Sequence, residues 1–197
     1  MRLVPELPDR LKPLVEFLYY GGWRKSAARN LEWKEIDMRG RTARLKIADA
    51  KNKEPWILPL SGRLWEIVQE RAKARRLDCP YVFHVNGKRI KDFRKTWWSA
   101  CVATGLGRFV MVEDEKTKRL KKEYVGLYVH DLRRSCARHL SKAGVKEQIA
   151  MKITGHKTNS MYRRYRIVDE DEIRQALDQT QAHLDATADE KVAVIGS

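Results

Sequence analysis

HDLRRSCARHLSKAGVKEQIAMKITGHKTNSMYRRYRI, His130 to Ile167, carries the densest chemistry in this chain. His130 and Arg133 are three apart, so one helical turn places both on one face, within reach of a common ligand. A guanidinium fork can grip two oxygens of a phosphodiester, and an imidazole beside it can hold or pass a proton. His-x-x-Arg is a weak signal by itself, since a chain with 41 Lys and Arg would produce it by chance. His156 and Tyr165 are nine apart, which at about 100° per residue puts them on opposite sides of one straight helix. They can converge only if the chain turns between them, at Lys157 to Asn159. Tyrosine, with a pKa of about 10, is a poor nucleophile unless cations surround it. Arg163, Arg164 and Arg166 are close in sequence. Tyr162 has the same neighbours, and spacing does not choose between the two tyrosines. Taken alone, this second pattern is more simply an amphipathic helix whose tyrosines pack.

Working outward, Asp131 to Ala143 predicts a helix through Leu132, Cys136 and Leu140, stopped by Gly144. A short helix over 146–153 ends near Gly155, and another starts near Thr158 to Ser160. Residues 169–186 read as an amphipathic helix with acids in its first turn, leaving 187–197 frayed. Upstream, FVMVEDEKTKRLKKEYVGLYV predicts a hairpin with charged runs at its tip. Residues 91–103 and 63–77 read as helices, and Tyr81-Val82-Phe83 as a short strand closed by Asn86-Gly87. ARLKI and WILPL, separated by ADAKNKEP, predict a hairpin within 42–60. Nearest the start, residues 1–9 read as an extended lead-in, and Asp9 as the cap of a helix over 10–20. That helix would bury Leu11, Leu14, Val15 and Leu18 and end at Gly21-Gly22, with a second helix over 25–34.

The fold class expected is mixed α/β, mostly α-helical, with a small antiparallel sheet. The 197 residues suffice for one domain with a tail, and 43% hydrophobic against 34% charged residues is a globular balance. The surplus of 41 Lys and Arg over 26 Asp and Glu, +15 at neutral pH, favours a polyanionic partner, because each neutralised phosphate releases counterions. Cys79, Cys101 and Cys136 are too scattered for a metal site or a disulfide framework, which points to a reducing cytoplasm. No apolar run approaches the roughly 18 residues of a membrane span, and no signal-peptide pattern is present. Glu113-Asp114-Glu115 and Asp169 to Glu172 read as loop and helix-start acids, so no metal and no cofactor is expected.

Taken in order, HDLRRS, GHKTNS and RYRI closely resemble the tyrosine recombinases, particularly integrases of phages and integrative elements. GGWRKSAARNLEW resembles that family's first-arginine box and places its arginine on Arg24. AKNKEPWILPL resembles the segment of the catalytic lysine, with Lys51 the better match and Lys53 second. The resemblance then assigns His130 and Arg133 to the His-x-x-Arg pair, His156 to the second histidine position and Tyr165 to the nucleophile, nine residues on. It covers about 10–170, and one chance motif is far easier than this ordered set of six. Two positions depart from the family. Ala27 stands where most relatives carry an acid three residues after the first arginine. Thr154 stands where many have Leu before Gly-His, a change expected to affect packing alone.

The resemblance implies a reaction. Tyr165 would attack a scissile phosphodiester, leaving a 3′-phosphotyrosine and a free 5′-hydroxyl, so that rejoining needs no ATP. Arg24 and Arg133 would neutralise the non-bridging oxygens, Lys51 would protonate the leaving oxygen, His130 would exchange a proton with Tyr165, and His156 would donate to the phosphate. Lys53, Arg134, Lys157, Arg163 and Arg164 are expected DNA contacts. The expected partner is a double-stranded attachment site, held by a tetramer of the full-length protein. Residues 1–168 would form the catalytic domain, and 169–197 a helix and tail that could dock on a neighbouring protomer through Leu177, Leu184 and Ile173. The family's core-binding and arm-binding domains have no counterpart here, so the chain is expected to be part of a longer protein. Two alternatives remain open. A type IB topoisomerase uses related chemistry, and residues 135–156 have the rhythm of a non-catalytic helix-turn-helix module.

Overall fold

The computed structural model describes residues 2–45, 56–156, 158–163 and 170–195. Its central helix is α1 (Lys12–Gly21), with Leu14, Val15, Phe17 and Leu18 buried and Leu11 buried just ahead of it. The apolar face read from the sequence is therefore the one that meets the core. α1 packs against α2 (Lys25–Arg29), α3 (Arg63–Lys73) and α5 (Asp131–Lys142). The N-cap is Leu11 rather than Asp9, whose carboxylate instead takes Lys12 as an ion-pair partner at 2.7 Å. The lead-in is not fully extended. A 3-10 turn at Val4–Glu6 tucks Leu3 and Leu7 into the core.

Among the described residues, the strands form three separate antiparallel sheets. β1 (Ile36–Asp37), β2 (Thr42–Leu45) and β3 (Trp56–Pro59) lie in that order, with Ala43 opposite Leu58 and both buried. β4 (His84–Val85) and β5 (Lys88–Arg89) flank Asn86-Gly87, and both turn residues have positive φ, as a two-residue hairpin demands. β6 (Gly107–Glu113) and β7 (Leu120–Gly126) make a seven-pair ladder whose tip is closed by Asp114, which accepts the backbone N–H groups of Lys116 and Thr117. The base of this hairpin joins the core through Trp98 stacked on Tyr124 at 5.1 Å, and through Trp97 of α4 (Arg94–Ala103), which donates to the Leu127 carbonyl.

Several expected boundaries move. The second helix stops at Arg29, because Glu32 and Glu35 cap a 3-10 turn over Trp33–Glu35 that redirects the chain. Tyr81 to Phe83 is not a strand. Tyr81 bridges Glu32 singly, and pairing begins at His84. α3 ends at Lys73, four residues short of the expected end. In the last third, α5, α6 (Glu147–Thr154) and α7 (Asn159–Arg163) fall where the periodicity places them. α8 (Glu170–Ile195) begins as expected but continues through the stretch read as frayed. Its Ile173, Leu177 and Leu184 are all exposed. Among the described residues, no helix is long and apolar enough to cross a membrane.

Candidate active site

Arg24 owes its place to the glycine that ends α1. Gly22 has φ +62, the left-handed geometry that lets the chain reverse at a helix end. A Cβ there would meet Cys136 Sγ and Thr154 Cγ2 at 2.9 Å, so the residue is also a point of close approach. Trp23 then drops into the core, edge-on to Phe17 at 5.0 Å. Arg24 follows as the exposed N-cap of α2, with Ala27 half-buried one turn on.

The start of α5 supplies the next pair. Asp131, in its first turn, accepts the Tyr128 backbone N–H at 2.8 Å and fixes the approach of the chain. His130 is the N-cap, exposed as a residue. Its pKa is nevertheless held below the usual 6.5, first because part of the ring is desolvated and then because Arg133 lies near, with Arg134 and Arg24 adding to the effect. Neutral at physiological pH, it can accept a proton. Arg133, only 3% exposed, points inward. Its Nη1 donates to the Gly22 carbonyl at 2.7 Å and to the Thr154 carbonyl, and its Nε donates to His156 Nε2 at 3.2 Å. One guanidinium thus ties together the end of α1, the end of α6 and the second histidine.

His156 is buried, with its ring edge-on to Tyr162 at 5.4 Å. Its pKa is pushed down to about 4 by desolvation, with Arg133, Arg24 and His130 adding repulsion in that order. His156 therefore stays neutral, and its Nε2 accepts from Arg133. Its Nδ1 lies 2.7 Å from Thr154 Oγ1, which also contacts the Ala150 carbonyl at 2.8 Å. Thr154 is consequently more than a packing change, because its hydroxyl and its carbonyl both engage the site. The polar role of Thr154 and the carbonyl role of Gly22 went unseen in the sequence. The signal available was a hydroxyl residue two positions before His156 and a glycine two before Arg24.

Arg24, His130, Arg133 and His156, drawn from three separate segments, are close enough for each histidine to sense both arginines. Lys51, Lys53, Lys157, Arg164 and Tyr165 lie outside the described residues. Arg163 ends α7, and nothing is described of its side chain. Arg134 is half-exposed and pairs with Asp131 at 3.5 Å, one helical turn away on the outer face of α5. Tyr162 is core, 1% exposed, with its hydroxyl donating to the Ala137 carbonyl at 3.3 Å. Among the described residues, no three His, Cys, Asp or Glu side chains are grouped to hold a metal ion.

Comparison with known proteins shows what the chain is similar to. The integrase of Salmonella phage P22 is 24% identical over 178 residues, covering 83% of this chain and 41% of that protein. The tyrosine recombinase XerA of Pyrococcus horikoshii is 25% identical over 174 residues, covering 87% of this chain and 55% of the relative. The chain thus spans about half the length of the curated relatives it matches. Its fold superposes on a crystal structure of XerA recombinase with a TM-score of 0.65 at 16% identity, covering 91% of this chain and 62% of the other. A lambda integrase tetramer bound to a Holliday junction matches with a TM-score of 0.60 at 15% identity, over 84% of this chain and 45% of the other. The phage integrase family matches residues 4–172, from the first 3-10 turn to the start of α8, and the chain belongs to that family.

Proposed function

We propose that the chain is the catalytic domain of a site-specific recombinase, which cuts and rejoins double-stranded DNA through a 3′-phosphotyrosyl intermediate to integrate or excise a mobile element. The observation that carries this reading is that Arg24, His130, Arg133 and His156, from distant segments, come close enough for both histidines to feel both arginines. Their order along the chain is the order of the family's motif. A DNA-binding module of the helix-turn-helix kind would have no need to invest a buried arginine in α1, α6 and a histidine at once.

In this reading the Tyr165 oxygen attacks the scissile phosphorus and its proton passes to His130. The bond from phosphorus to the 5′-oxygen breaks, and Lys51 protonates that oxygen as it leaves. Arg24, the exposed cation, meets the phosphate from the open side, while Arg133 stabilises developing negative charge from within. His156 acts on the reaction through Arg133, whose orientation it shares. Lys53, Arg134, Lys157, Arg163 and Arg164 are assigned to the DNA backbone. The +15 charge supports a duplex partner, and the cytoplasm is the compartment where the chain would meet it.

The full-length protein would work as a tetramer on its site. The exposed Ile173, Leu177 and Leu184 of α8 then have an occupant, the catalytic domain of a neighbouring protomer, which makes 169–197 a docking segment. The functional reading is tested with a nicked suicide substrate in excess EDTA. A covalent protein–DNA adduct is expected to accumulate. DNA binding without an adduct, or an adduct that forms only when magnesium is restored, contradicts it.

A further inference from the structure

We infer that Thr154 is a positioning residue of this site, whose hydroxyl holds His156 in one tautomer and so locks the Arg133 guanidinium in place. The argument follows the protons. A guanidinium Nε can only donate, so the contact of Arg133 Nε with His156 Nε2 at 3.2 Å makes Nε2 an acceptor. A neutral imidazole with a bare Nε2 carries its proton on Nδ1. That proton needs an acceptor inside the protein, because His156 is buried.

Thr154 Oγ1 supplies it, 2.7 Å from Nδ1. The hydroxyl's own proton is then directed to the Ala150 carbonyl at 2.8 Å, which is able only to accept. The protons run in one direction along the row: Arg133 Nε–H to His156 Nε2, His156 Nδ1–H to Thr154 Oγ1, Thr154 Oγ1–H to the Ala150 carbonyl. An imidazolium would set an Nε2–H against the Nε–H of Arg133, which agrees with the depressed basicity of this histidine. Among the described residues, Arg24 and His130 also bear on the ring, and both act in the same sense.

The residue is suited to the task by its location. Thr154 ends α6, is 1% exposed, and gives its carbonyl to Arg133 Nη1 while its hydroxyl serves His156. Its methyl Cγ2 faces Gly22, filling the space where a glycine Cβ would sit. Valine would keep this shape and remove only the hydroxyl. Leucine or any other apolar residue would leave the Nδ1 proton without this acceptor, so the Nδ1–H tautomer would lose part of its advantage over the Nε2–H form that opposes Arg133.

The effect on cleavage rests on the functional reading above, whereas the tautomer does not. The test uses the whole chain labelled with 15N-histidine, and reads the ring nitrogens of His156 by NMR alongside suicide-substrate cleavage. In the wild type and in Thr154→Ser, Nδ1 is expected to be protonated and Nε2 bare, with similar cleavage. In Thr154→Val, Nε2 should shift towards the protonated form, and cleavage should fall by about tenfold, the rate equivalent of one buried donor left unmatched. A wild-type ring protonated at Nε2 overturns the inference even if the valine variant fails to fold. So does a valine variant with the wild-type nitrogen shifts or the wild-type cleavage rate. If no phosphotyrosine forms in any variant, the functional reading fails while the nitrogen spectrum still decides the tautomer.

Discussion

The Gly22 carbonyl accepts a hydrogen bond from Arg133 Nη1 at 2.7 Å, so the turn that presents Arg24 and the helix that presents Arg133 are set by one contact. The two arginines that flank a phosphate in the proposed reaction are therefore not positioned independently. Whatever displaces the end of α1 displaces both.

Gly22→Ala should show this coupling. The left-handed backbone costs a Cβ-bearing residue about 1–2 kcal/mol, and overpacking against Cys136 and Thr154 adds roughly 1–3 kcal/mol. A loss of about 2–5 kcal/mol in urea denaturation is expected, with cleavage abolished even where the protein remains folded. Gly144→Ala is the control. Gly144 has φ +71 but no neighbour within 4 Å of its Cβ position, so only the backbone cost should appear and cleavage should survive.

The buried His156 makes stability depend on pH with a definite sign. Its folded pKa is about 4 against the ordinary 6.5 of a histidine, so the unfolded chain takes up the proton first as pH falls. Stability is intact above about pH 6.5 and is lost progressively down to about pH 4, by about 3 kcal/mol from this group. His130 and His84 are shifted in the same direction and contribute with the same sign. Urea titrations at about pH 7.5 and about pH 4.5 should therefore show a large difference in the wild type and a clearly smaller one in His156→Gln. Equal pH dependence in the two proteins would mean that His156 is not held neutral by the fold.

Deleting 169–197 should separate folding from assembly. The described apolar side chains of α8 are exposed, so the truncated chain is expected to keep its stability to within about 0.5 kcal/mol, as surface changes do. Multimeric complexes on DNA, counted by native gel or sedimentation, should be strongly reduced. A truncated chain that cannot fold would show that α8 packs in cis instead.

Much of this was legible in the sequence because the relevant signals are local. The face of α1, the hairpin over 107–126 and the ends of α5 and α6 at Gly144 and Gly155 follow from periodicity and left-handed glycines within a few residues. His130 and Arg133 share a helical turn, so their proximity needed no knowledge of the fold. What could not be read was carried by contacts between distant segments. The bond from Arg133 to the Gly22 carbonyl spans 111 positions, and that to His156 spans 23. Thr154 differs from a packing residue only because Nδ1 of His156 happens to face its hydroxyl. The 3-10 turn at Trp33–Glu35 was missed for a similar reason. Its two glutamates look like helix formers until Glu35 is seen to reach back to the Glu32 N–H.

The central claim is that Tyr165 is the nucleophile, and the choice lies between it and Tyr162. Tyr162 is committed to the interior, its ring beside His156 and its hydroxyl donating to the Ala137 carbonyl. Tyr162→Phe should cost about 0.5–1.5 kcal/mol of stability through that lost bond and still form the adduct. Tyr165→Phe should leave folding and DNA binding intact and form none. The decisive measurement is mass spectrometry of the peptide trapped on a suicide substrate. A nucleotide on Tyr165 is the result this account predicts, and a nucleotide on Tyr162 would contradict it.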